Sequence, residues 1–394
     1  MRSSLLLIAL AIAIPHPADA APCTDLPNPV YLQVGDTQVN LMKRLARALR
    51  DNTANPISLV WFASGSCTNI QAIYTRVPVT ANMEFVASTL ENPSWTPTSA
   101  ATTCTPTGGV VPDVANSALF VSSCTTETPP ATVKSSFGPV QAYVMAVPEA
   151  STQTAITYEE AYFVFGFGAA GMIAPWVGPE LANLFVRTTT KSTLLTWAAN
   201  IDVMAGKWKG MAFDKSGEVV AALQTSTTPE SSIGLLGAEV YDSLRANLNS
   251  LAFRAKGQYA AYYADSTRES RDKKNLRDGH YTVWSPTEWL LTTDTSGVAV
   301  SASAKYVVDL IAGRSVTPKQ NFDMASIVAA VGLVPDCAMN VKRSFDGGPL
   351  SLYQPAESCQ CKYESLVDAS SCQTCSTNVA CGSGVCRDSF CEVQ

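Results

Sequence analysis

The stretch LANLFVRTTTKSTLLTWAAN, residues 181–200, holds the densest group of side chains able to do chemistry. Arg187, Lys191, Ser192 and Thr193 lie in a joint between an apolar run and an amphipathic one. The first N–H groups of a helix lack intrahelical partners and sit at the positive end of its dipole. Hydroxyls there add neutral donors, and a guanidinium adds a bidentate fork suited to tetrahedral oxyanions. With LANLFV as a buried strand and STLLTWAANI as a helix, this joint is an anion cradle. The same residues also suit a Thr-rich capped turn with Arg187 in a surface ion pair, and Lys191 fits either arrangement.

Three other bends repeat the theme. GDT (Gly35, Asp36, Thr37) opens one helix, SGSCT (Ser64, Gly65, Ser66, Cys67, Thr68) opens a second, and ANS (Ala115, Asn116, Ser117) follows a strand. Each is ordinary turn and cap chemistry by itself. Their shared placement carries more weight, because ligands of open α/β sheets bind outside the carboxyl ends of strands, where helix N-termini converge.

Catalytic chemistry has little to work with. The chain has two histidines, and His16 falls within an expected leader, leaving His280. Any Ser-His-Asp, Cys-His or multi-histidine metal arrangement must use that single imidazole, which reads as an exposed or hinge residue on the segment RDGHYTVWSP. Glu159 and Glu160 read as helix-start charges, and Trp176 and Trp197 as packing of a second lobe. Nothing calls for a cofactor or a metal.

The elements that must hold these bends alternate strand and helix. PVYLQVG is a strand, and DTQVNLMKRLARALRD a helix with Asp36 or Thr37 as N-cap and Leu41, Met42, Leu45 and Leu49 on one face. PISLVWFA is a strand, residues 91–109 a long loop closed by Cys104 pairing with Cys124, and FGPVQAYVMAVPEAS a strand crossing between domains. SGEVVAALQ is a helix, SSIGLLGAEVYDS a returning strand and turn, and residues 298–313 a terminal helix burying Val307, Val308 and Ile311. The expected division is a lobe of residues 25–142 and 286–330, a second lobe of 143–285, and a tail of 337–394. This is an α/β chain of two lobes joined by two extended crossovers.

The start, MRSSLLLIALAIAIPHPADAAPC, has the basic, apolar and small-x-small regions of a secretory leader ending at residue 20. Pro22 argues against a lipid anchor on Cys23. No later apolar run is long enough to span a bilayer. A formal net charge of −6 lacks the dominant basic face that nucleic-acid binding requires. The 12 cysteines form an even set in an exported chain, which favours disulfides over metal thiolates. In the tail, Cys337, Cys359, Cys361, Cys372, Cys375, Cys381, Cys386 and Cys391 would staple a segment too small for its own core.

The segments quoted above resemble, in order and character, the phosphate ABC-transporter substrate-binding proteins of the type II periplasmic-binding fold. The resemblance spans residues 29–313. VGDTQVNLMKRLARAL, WFASGSCTNI, PDVANSA and VRTTTKSTLLTWA are similar to that family's successive ligand-holding turns. It implies an oxyanion held by Thr37, Gly65, Ser66, Ser117, Arg187 and Thr193, with Asp36, Lys191 and Ser192 alongside, and delivery to an ABC permease. Departures accompany it. The family's loop glycines are Thr190 and Ser192 here, its intervening serine is Lys191, and its proton-accepting aspartate is Ala118. The resulting expectation is an exported protein capturing a small oxyanion, phosphate foremost. A two-lobe surface or adhesion scaffold is the alternative, and a phosphoester hydrolase the third reading.

Overall fold

The computed structural model describes residues 20–177, 181–368 and 371–393, so the expected leader lies outside the described residues except for Ala20. The chain starts with β1 (Pro29–Gly35), α1 (Val39–Arg50), β2 (Ser58–Ser64) and α2 (Ser66–Thr75). The strands β3 (Met83–Phe85), β4 (Thr102–Cys104), β5 (Val114–Ser117) and the long β6 (Val133–Pro148) follow. Then come β7 (Ala155–Thr157), α3 (Tyr158–Phe167), β8 (Leu184–Arg187), α4 (Ser192–Asn200), β9 (Met211–Phe213), α5 (Ser216–Gln224), β10 (Ile233–Gly237) and α6 (Ala238–Asp242). The strands β11 (Leu248–Ser250) and β12 (Ala252–Arg254) lead to α7 (Lys274–Arg277), β13 (Trp284–Thr292), α8 (Ala302–Ile311) and α9 (Met324–Ala329). A hairpin of β14 (Val341–Lys342) and β15 (Ser351–Leu352), α10 (Gln360–Val367), and a second hairpin of β16 (Val385–Arg387) and β17 (Phe390–Glu392) end the chain.

Helical spacing accounts for α1: Leu41, Met42, Leu45 and Leu49 are buried, while Lys43, Arg44 and Arg47 take the outer face. The α3 helix starts at a capping box, in which Thr157 accepts from Glu160 N and Glu160 accepts from Thr157 N. Val307, Val308 and Ile311 of α8 are buried as their spacing predicts.

The main strands form one sheet in the order β4-β3-β2-β1-β5-β13-β6-β10-β8-β9. Both flanks contain parallel pairs, β2-β1-β5 on one side and β10-β8-β9 on the other. The middle is antiparallel. β6 pairs with β13 from Val133 to Ala142, then with β10 from Tyr143 to Ala146. A bulge interrupts the β6–β13 ladder between Pro286 and Glu288, where Pro286 has no N–H to donate. Two apolar cores flank this change of partner. One gathers Leu45, Trp61 and Trp289, and the other Phe165, Trp176, Trp197 and Phe253. The structure is thus the two-lobe α/β arrangement expected from the sequence.

Six disulfides are present among the described residues, and the expected Cys104–Cys124 bond is not one of them. Cys104 bonds Cys23, and Cys124 bonds Cys67. The packing explains the correction. Cys104 ends β4 at the edge of the sheet, where Pro22 bridges Thr105 and brings Cys23 alongside, whereas Cys124 follows a 3-10 turn beyond β5 and packs with α2, which carries Cys67. Cys23 has its sulfur in that bond, in keeping with the reading against a lipid anchor. The tail pairs Cys337–Cys359, Cys361–Cys372, Cys375–Cys386 and Cys381–Cys391. The sulfurs of Cys375, Cys381 and Cys391 cluster as metal ligands would, but all three are spent in these bonds. The tail also docks on the body. Arg277 meets Glu364 at 2.6 Å, Lys362 meets Asp323 at 3.2 Å, and Tyr363 is buried under Arg277.

Candidate binding crevice between the lobes

The bend after β1 is a 3-10 turn, Asp36–Gln38, and neither Asp36 nor Thr37 caps α1 with its side chain. The Asp36 carboxylate finds stronger donors across the crevice. Its Oδ2 accepts from Arg187 Nη2 at 2.8 Å, Ser216 N at 3.2 Å and Ser216 Oγ at 3.0 Å. A charge-assisted set of three outweighs a single cap bond. Ser216 is the first residue of α5, so the carboxylate sits where a helix N-terminus favours an anion.

Arg187 ends β8 and is fully buried, which rules out the surface ion pair. Its Nε donates to Phe213 O at 3.2 Å, Nη1 to Ser216 Oγ at 2.5 Å, and Nη2 also to Asp214 O at 2.7 Å. Together with Asp36, these acceptors fix the guanidinium and neutralise it. It is therefore not the lone positive charge of an open cradle. Lys191 faces elsewhere, with Nζ 3.0 Å from Asp214 Oδ1 in the same lobe.

At the second bend, Gly65 precedes α2 and faces the second lobe. A Cβ there would stand 2.9 Å from both the carbonyl oxygen and Oγ1 of Thr190. Cys67 N, in the first turn of α2, donates to Thr190 O at 3.3 Å. Ser66 Oγ accepts from Ala118 N at 3.1 Å and keeps its own proton to donate. Ser117, by contrast, spends its hydroxyl on Leu119 O at 2.7 Å. Ser192 lies beside the Tyr143 phenol, which in turn donates to Ala118 O.

The four bends therefore meet, although their side chains divide into two groups. Asp36, Arg187, Lys191 and Ser117 are occupied by other protein groups. The hydroxyls of Thr37 and Thr193 are buried without a partner. Thr37 Oγ1, Ser66 Oγ and Asn116 Oδ1 lie 3.6, 3.7 and 3.8 Å from the point where a Cβ on Gly35 would stand. Glycine at 35 thus keeps that space free of a side chain.

Sequence reasoning missed four contributors. Ser216 opens a helix after β9, a strand of three residues that is too short to register as a pattern. Gln38 donates to Gln141 at 3.0 Å, and Gln141 donates in turn to the Glu239 carboxylate. Glu239 follows Gly237 at a further strand-to-helix joint, in GLLGAEV, which offered the same signal as the other bends. It is buried, with Oε1 unpartnered, and burial pushes its carboxyl up to about 8. His280, the histidine among the described residues, is exposed and lies 5.0 Å from the Tyr262 ring. No described imidazole is therefore placed to serve as a base in this crevice.

No family model matches the chain, and no curated protein matches it. Solved structures do. A phosphate ABC transporter substrate-binding protein from Clostridium perfringens, solved with bound phosphate, superposes with a TM-score of 0.54 at 14% identity, covering 78% of this chain and 99% of that one. An ABC-type phosphate transport receptor from Vibrio cholerae gives 0.48 at 11%, covering 78% and 100%. A phosphate-binding protein from Stenotrophomonas maltophilia gives 0.44 at 10%, covering 78% and 91%. At such identities the first likeness defines the class of architecture, the two-lobe periplasmic-binding-protein fold. The ligand must be argued from this chain's own residues.

Proposed function

We propose that this is an exported solute-binding protein that holds a small oxyanion, phosphate foremost, between its lobes for delivery to an ABC-type permease. The observation that carries this reading is the meeting of four sequence-distant bends, two of which carry a buried hydroxyl without a partner, Thr37 and Thr193. Those hydroxyls, Ser66 and the first-turn N–H groups of α4 donate to the guest. Arg187 joins them once Asp36 lets go. Asp36 is then a resident stand-in, a carboxylate seated on the donors that an oxyanion would use. Six disulfides suit an oxidising compartment, and no described helix is long and apolar enough to cross a membrane.

Isothermal titration with phosphate, sulfate and arsenate tests the proposal. One saturable site for phosphate is expected, and a folded protein giving no heat with any of the three overturns it. That second outcome would favour a scaffold that does not transport. The occupied Arg187, and a tail that ties the two lobes together, are the features that favour this alternative.

A further inference from the structure

The loop of the β14–β15 hairpin forms one wall of a cavity of about 770 Å3. The facing wall comes from the first lobe and includes Phe120, Val121, Pro129 and Phe137. The rings of Phe120 and Phe137 meet edge to face at 5.5 Å, and Phe137 remains half exposed. Leu350 and Pro349 extend this apolar lining from the hairpin side.

One cation in this lining stands out. Arg343 is only 9% exposed, and its guanidinium lies 4.2 Å from the centre of the Trp284 ring. It makes one long hydrogen bond, Nη1 to Trp284 O at 3.4 Å, while its Nε is buried with no partner. No ion pair involving it is found among the described residues. Asp346, on the same loop, spends Oδ2 on Phe120 N at 3.1 Å and Ser123 Oγ at 2.5 Å. Glu288, also in the cavity wall, accepts from Val121 N at 2.9 Å and from Ser135 Oγ. Asp346 is the charge that acts on Arg343, but it makes no ion-pair contact with it, and its carboxylate is held by Phe120 and Ser123 instead. A buried cation without a contacting counter-ion is costly, and an anion entering from the cavity relieves that cost. An inorganic anion would leave the aromatic wall wet, whereas an anion with an apolar body would cover it.

We propose that this cavity is a second binding site, for a small organic carboxylate with an apolar body. The carboxylate pairs with Arg343, and the body lies along Phe120, Phe137 and Leu350. The site is separate from the interlobe crevice and does not depend on that reading.

Calorimetry with octanoate and with 1-octanol tests it on the full chain. Octanoate should bind at one site, and 1-octanol roughly tenfold or more weakly, the scale of losing a desolvated charge pair. Arg343→Met should abolish octanoate binding, and Phe137→Ala should weaken it several-fold with the circular dichroism spectrum unchanged. The site is refuted if octanoate gives no saturable heat, or if 1-octanol binds equally well. Wild-type octanoate affinity in folded Arg343→Met also refutes it. Should Arg343→Met fail to fold, the ratio of octanoate to 1-octanol affinity and the Phe137→Ala result decide.

Discussion

Glu239 sits at the second turn position of α6, folded back over Gly237 so closely that a Cβ on that glycine would lie 2.1 Å from its carboxylate. Gln141 satisfies one oxygen, the other has no partner, and burial raises the carboxyl from its ordinary value to about 8. The folded protein therefore holds this proton more tightly than the unfolded chain does. Stability is fully present below the ordinary carboxylate range, falls as pH rises toward 8, and is flat beyond. Glu239→Gln removes that slope. The variant should match the wild type in thermal melts near pH 4.5 and exceed it by a few kcal/mol, several degrees in Tm, at pH 8. Parallel pH dependence in the two proteins would show that Glu239 is ionised and compensated in the fold. The same proton bears on binding, since a carboxylate formed there adds negative charge to the crevice. Oxyanion affinity in the wild type should accordingly drop above pH 8 more steeply than in Glu239→Gln.

Gly65 shows how an element's end sets the distance between lobes. Its φ of −96° is open to any residue, so backbone strain does not explain the glycine. The neighbouring Thr190 does, because a methyl group at 65 would meet its carbonyl and hydroxyl at 2.9 Å. Gly65→Ala should therefore disfavour lobe contact by about 1 kcal/mol or more while leaving each lobe intact. Small-angle scattering should record a larger radius of gyration with an unchanged far-ultraviolet spectrum. An unchanged radius would mean that the loop after β8 yields instead.

At this scale the sequence was informative where patterns were long. β1, α1, β2, α2, β6 and α8 are legible from apolar runs, turn signals or helical spacing. β9 and α9 were not legible, being three and six residues long and settled by tertiary pairing. The disulfides needed the tertiary packing, since Cys104 ends the edge strand β4 while Cys124 follows a 3-10 turn that packs beside α2.

For the molecule as a whole, the lobes are held from three sides. Asp36 and Thr190 bridge the crevice itself. The loop before β15 anchors Asp346 on Phe120 and Ser123 of the first lobe, and packs Gly347 against the Ala199 carbonyl of the second. The tail helix α10 links Asp323 beside the first core with Arg277 in the second lobe. Opening such a molecule requires these ties to loosen together, and a guest must win by binding the closed form better than Asp36 fills it. The convergence of the bends was readable from their common position at strand ends. Their occupancy was not, because the partner of a charge depends on which loop folds against it. Arg187 was legible as a central cation, yet Ser216 and Asp36, which claim it, lie 29 and 151 residues away.

The most direct test is a crystal structure grown in saturating phosphate. Tetrahedral density is expected within hydrogen-bonding distance of Thr37, Ser66 and Thr193, with the Asp36 carboxylate moved off Arg187. A crevice empty of such density, with Asp36 still on Arg187 and Ser216, would contradict it.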